Sequence, residues 1–178
     1  RQMCIRDSLD APRFRMADFL APGYPIAKVS FSSAPAVTDC FLAKARLSGK
    51  NEVPAVQTRA IGQSFAKLAE GGETLDITSF HIRLRNVTAA HLHLGAPGEN
   101  GPVVALLLPE DLGELSRSER RWLRFVIKEQ LTTGDLVGPL AGQPLDVLAR
   151  EIENGNVYVN IHTEQNPAGE LRGQLELY

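Results

Sequence analysis

The chain has 178 residues, 43% of them hydrophobic and 22% charged, with a formal net charge of -2. This fits one soluble domain with a sizeable core plus about 30 to 40 residues of tail, and the charge balance gives no reason to expect nucleic acid or an anionic membrane as partner. No run approaches the roughly 18 apolar residues of a membrane span, no secretory signal is visible at the N-terminus, and two cysteines, Cys4 and Cys40, supply neither a disulfide framework nor a Cys-based zinc site.

Residues 1–8, RQMCIRDS, resemble a translated sequencing adapter and are set aside as an artefact. Up to Asp39 the chain carries Pro12, Pro22, Pro25 and Pro35 with no sustained period, which predicts an irregular N-terminal arm over 1–39 and a domain over 40–178. Patterning starts at Cys40. Phe41, Ala43, Ala45 and Leu47 alternate with Lys44, Arg46 and Ser48, the period of a half-buried strand. A loop with Pro54 leads to a strand near Ala60 to Ala69, and Glu70-Gly71-Gly72-Glu73 makes a tight turn into Thr74 to Leu84. In that strand Leu75 and Ile77 have one parity and Phe80, Ile82 and Leu84 the other, which predicts a bulge near Ser79.

Strands over Ala89 to Leu94 and Val103 to Leu108 flank the turn GAPGENGP. Pro109 to Arg121 reads as a charged loop with a helical turn, and Trp122 to Leu131 alternates as a further strand. Pro144 to Asn154 is the one helix: Leu145, Leu148, Ala149 and Ile152 recur at helical spacing, with Pro144 at the first position and Gly155 as the stop. Asn156 to Thr163 and Glu170 to Tyr178 close the chain as a hairpin around Asn166-Pro167-Ala168-Gly169. The expected class is all-β, an antiparallel Greek-key-like β-sandwich or open barrel of about 7–8 strands, with one short helix near 144–154.

In Ala90-His91-Leu92-His93-Leu94 the aliphatic residues share one strand face and the two histidines the other, about 7 Å apart. In Val157 to His162 the same parity sets Val157, Val159 and Ile161 against Tyr158, Asn160 and His162. His91, His93 and His162 could therefore project from one side of neighbouring strands. Imidazoles so placed suit zinc or copper, with water or a carboxylate such as Glu99 or Glu170 as fourth ligand. The alternative for each histidine is a hydrogen bond to turn backbone. Asn160, Glu170 and Arg172 form a candidate polar network under the site, His81 is expected on the surface, and Asn51, Glu52 and Val53 are read as polar turn-makers. The chain contains no G-x-S-x-G elbow and no H-E-x-x-H helix, so no catalytic residue is assigned and a non-enzymatic domain is expected.

Four stretches, LSGKNEVPAVQTRAIGQ, VTAAHLHLGAPGENGPVVALL, LTTGDLVGPLAG and IENGNVYVNIHTEQNPAGELRGQL, resemble the chordin (CHRD) domain family over about Cys40 to Tyr178. The resemblance implies an extracellular or cell-envelope β-domain that binds a protein or matrix component. This chain has one such domain and none of the cysteine-rich modules of the chordins, so growth-factor antagonism is not carried over.

Overall fold

The computed structural model describes residues 40–108 and 124–178. The N-terminal arm, the expected helical turn within 109–121 and the start of the following strand at Trp122 lie outside the described residues. Strand β1 (Leu42–Ser48) follows its alternation: Ala43, Ala45 and Leu47 are buried, whereas Lys44 and Arg46 face outward. Cys40, just before it, is disulfide-bonded, a bond that the cysteine count had not led us to expect.

β2 (Ile61–Leu68) and β3 (Leu75–Ile82) form the hairpin expected across the glycine pair. Their register runs unbroken from Leu68↔Leu75 to Ile61↔Ile82, so the bulge expected near Ser79 is absent. The mixed parity has another cause. β3 keeps one face inward throughout, and that face carries Leu75, Ile77, Ser79 and His81, while Phe80 and Ile82 are exposed. Ser79 is satisfied inside by a hydrogen bond to Ser64 on β2. His81, expected on the surface, is buried instead. Its cross-strand partner is Gly62, and the imidazole occupies the space that a side chain there would fill.

β4 (Val87–Leu94) pairs antiparallel with β5 (Val103–Leu106). β6 (Arg124–Leu131) pairs along all of β3. The helix α1 (Leu145–Glu153) starts one residue after the expected position, with Pro144 as its cap, and buries Leu145, Leu148, Ala149 and Ile152. Each large aliphatic side chain so buried contributes about 1.5–3 kcal/mol. An Asp146–Arg150 ion pair one turn apart spans its half-buried side. β7 (Val157–Thr163), β8 (Leu171–Gln174) and β9 (Glu176–Leu177) complete the described strands.

The strand order is β5-β4-β7-β8-β1-β2-β3-β6, with β9 also on β1. The two ends of this sheet approach each other. Beyond β6 the chain runs beside β5, where Ala105 pairs with Leu136 and the Val137 N–H donates to the Val104 carbonyl. Of the two expected architectures the molecule therefore takes the barrel, nearly closed, with the aliphatic residues of β1, β4 and β7 in its interior.

Candidate functional site

β4 and β7 lie side by side with Leu92 opposite Val159 and His93 opposite Tyr158. That register fixes two surfaces. Ala90, Leu92, Val157, Val159 and Ile161 point into the barrel. His91, His93, Tyr158, Asn160 and His162 point outward, beneath the loops 49–58 and 95–101. A bulge between Leu92 and His93 in the pairing with β5 sets His93 opposite Val103 and resets the local pleat beside the site.

The three imidazoles that strand parity set on one side of the sheet lie together: one nitrogen from each of His91, His93 and His162 lies within 4.8 Å of the others. Their protons follow from their partners. His162 Nδ1 is 2.9 Å from the Pro167 carbonyl, which only accepts, so that nitrogen carries the proton. In the neutral ring Nε2 is then an acceptor, and His91 Nδ1, 3.1 Å away, donates to it. His93 Nδ1 donates to the Gly101 carbonyl at 2.9 Å and leaves its buried Nε2 with a lone pair and no hydrogen-bond partner among the described residues. Burial holds the His91 pKa down to about 4, assisted by the neighbouring His162 and His93. Burial likewise lowers that of His93, with His162 and Arg172 adding to the effect against the Gly101 bond. These two rings are thus neutral at physiological pH, the form that ligates metal.

The expected carboxylate ligands are engaged elsewhere or excluded. Glu170 accepts from Thr58 Oγ1 at 2.6 Å and from Thr163 Oγ1 at 2.7 Å, tying the loop 49–58 to β7. Glu99 is exposed and stands outside the converging group. A metal held by the three histidines would keep a position for water or an exchangeable ligand.

The three residues read as one polar network have separate partners. Arg172, buried on β8, donates to Asn100 Oδ1 and to the carbonyls of Ala96 and Glu99 at 3.1, 3.3 and 2.6 Å. Its guanidinium stacks on Tyr158, 3.6 Å from the ring centroid, and Tyr158 stacks on His93 with centroids 4.9 Å apart and planes 9° from parallel. The Tyr158 hydroxyl accepts from the Gly101 N–H at 3.1 Å. Loop 95–101 is therefore fastened over the histidines by one cation and two rings. Asn160 instead donates to Glu52 Oε2 at 3.4 Å.

Glu52 and Tyr158 are the functional side chains that sequence reasoning left aside. Tyr158 was already on the histidine face by parity, and its aromatic ring opposite His93 was the available signal. Glu52, expected in a polar turn, is buried, and burial raises its pKa to about 7 against the opposing effects of Arg172 and Asn160. Asn51 does make the turn, donating to the carbonyls of Arg46 and Arg172.

Comparison with known proteins returns no match among curated proteins and none among solved structures. The CHRD domain family matches residues 43–175, from the first alternating strand to the last core residue, Leu175. With that match covering nearly all the described chain, the protein belongs to the CHRD domain family.

Proposed function

We propose that this CHRD domain binds a single transition-metal ion, zinc or copper, through His91, His93 and His162. The observation that carries the reading is the approach of three imidazole nitrogens to within 4.8 Å of one another. Ligands at about 2.0–2.1 Å from a tetrahedral ion stand roughly 3.4 Å apart, so the widest pair needs to close by about 1.4 Å. Side-chain rotation supplies a movement of that size once an ion replaces the His91–His162 hydrogen bond. Two of the rings are already oriented by carbonyl acceptors at Gly101 and Pro167, the outer partners that metal-ligating histidines commonly use.

A second reading, a non-enzymatic domain that presents its loops to a protein or matrix partner, is favoured by their rigidity. Asn100 Nδ2 donates to the Val53 carbonyl at 2.8 Å, joining loop 95–101 to loop 49–58 above the sheet. A surface ordered in advance loses less entropy on binding.

Elemental analysis of untagged protein purified without chelator tests the first reading. One equivalent of zinc or copper is expected in the wild type, and its loss in His91→Ala/His93→Ala with a retained β-type circular dichroism spectrum. Metal-free protein that shows no thermal shift on titration with either ion would sink it.

A further inference from the structure

A second concave feature lies on the far side of loop 95–101 from the histidines. It is a cleft of about 430 Å³ between β1, β8 and the two loops, lined by Lys44, Arg46, Lys50 and Arg172 together with Glu52 and Glu176. The alternation of β1 places these cations. With Ala43, Ala45 and Leu47 committed to the core, Lys44 and Arg46 must face outward, about 7 Å apart along the strand. Lys50 follows in the short 3-10 turn Gly49–Asn51, and the pairing of Ser48 with Arg172 brings β8 alongside.

Among the described residues the outward charges of this cleft form no ion pair with one another. Among the described residues Arg46 and Lys50 form no ion pair, and Lys44 lies over the Tyr178 ring, 3.8 Å from its centroid, rather than on a carboxylate. Glu52 turns inward to Asn160. Three outward cations, Lys44, Arg46 and Lys50, thus face one outward carboxylate, Glu176, with the bonded guanidinium of Arg172 beneath them, in a chain whose overall charge is -2. A concave surface with low-dielectric walls concentrates such a field on an incoming ligand.

We infer that this cleft is a binding site for a compact multivalent oxyanion, a ligand carrying two or more carboxylate or phosphate groups. Adjacent anionic groups match the spacing of Lys44 and Arg46, and Arg46 offers the planar fork that pairs with a carboxylate or phosphate through two hydrogen bonds. The volume falls within the range of small-molecule sites and excludes a large ligand from full enclosure. The inference is independent of the metal reading, because none of the three histidines lines the cleft.

Calorimetric titration of metal-free protein tests it, with citrate and inorganic pyrophosphate as probes and acetate at matched ionic strength as the monovalent control. Saturable binding of citrate or pyrophosphate, with acetate inert, is the expected result, and the preferred probe identifies carboxylate or phosphate chemistry. Arg46→Ala/Lys50→Ala, two exposed positions, should weaken that binding roughly tenfold or more. Lys67→Ala, outside the cleft, should leave it unchanged in the same metal-free titration. The absence of saturable binding by both multivalent probes, or equal affinity in the Arg46→Ala/Lys50→Ala variant, overturns the proposal.

Discussion

Glu52 and Asn160 face each other beneath the loops with Asn160 Nδ2 donating to Glu52 Oε2, while Glu52 Oε1 and Asn160 Oδ1 are both buried and have no donor among the described residues. Both of those oxygens lie against Gly169, where an added Cβ would sit 2.5 Å from Asn160 Oδ1 and 2.7 Å from Glu52 Oε1. One proton placed on Glu52 Oε1 would serve both. It would turn a carboxylate beside an amide oxygen into a carboxylic acid donating to it, closing a two-bond ring.

The pH dependence of stability follows. The Glu52 carboxyl, ordinarily near 4.5, is raised to about 7 in the fold by burial. Between those values the native protein retains a proton that the unfolded chain releases, so the contribution of Glu52 to stability is full below about pH 4.5 and is lost as the pH rises through about 7. Glu52→Gln mimics the protonated acid at every pH. Urea titrations at pH 5 and pH 8 should show the variant more stable than wild type at pH 8, by on the order of 2 kcal/mol, and nearly equal at pH 5. A variant less stable than wild type at pH 8 contradicts the pairing.

Metal should act on the folded state alone. Zinc or copper at about a hundredfold excess over its dissociation constant stabilises by about 2.7 kcal/mol, or roughly 5–10 °C in a domain of this size. Differential scanning calorimetry should register that shift in the wild type and lose it in His162→Ala. The same shift in the variant would place the ion elsewhere.

The hydroxyl of Tyr158 has one identified task, accepting from the Gly101 N–H. Tyr158→Phe keeps the stack on His93 and on Arg172 and removes only that acceptor. The expected cost is about 1 kcal/mol. Hydrogen exchange should accelerate at the Gly101 amide while the β7 amides stay protected; uniform acceleration would mean that the whole strand depends on the hydroxyl.

Arg172 is held by geometry more than by charge. A lysine preserves the cation and cannot reach Asn100, Ala96 and Glu99 together while lying flat on Tyr158. Arg172→Lys should therefore destabilise by about 2–3 kcal/mol, measured by chemical denaturation. A near-neutral effect would show that loop 95–101 is secured without Arg172, by its bonds to Tyr158, His93, Val53 and Gln174.

How far these features could be read in advance depended on distance along the chain. Period-2 alternation is a local property, so it placed His91, His93 and His162 on one side of the sheet, and helical spacing found the buried face of α1. Contacts that join remote segments left weaker traces. Glu52 meets Asn160 across 108 residues, and nothing in a polar loop announces that its carboxylate turns under a neighbouring strand. His81 looked like a surface residue because the space it fills is made by Gly62, a glycine on the facing strand. The parity break in β3 was visible, but its cause was an apolar outer face at Phe80 and Ile82, not a bulge.

Gly101 is held on both sides, its N–H by Tyr158 and its carbonyl by His93. Glycine is required there because a Cβ would collide with the Leu94 carbonyl. An ion on His93 Nε2 would draw electron density through the ring and make Nδ1–H a stronger donor to that carbonyl. Gly101 would then work as a strain gauge wired to the histidines, so that its amide and carbonyl resonances in an NMR spectrum would signal occupancy from a loop that never touches the ion.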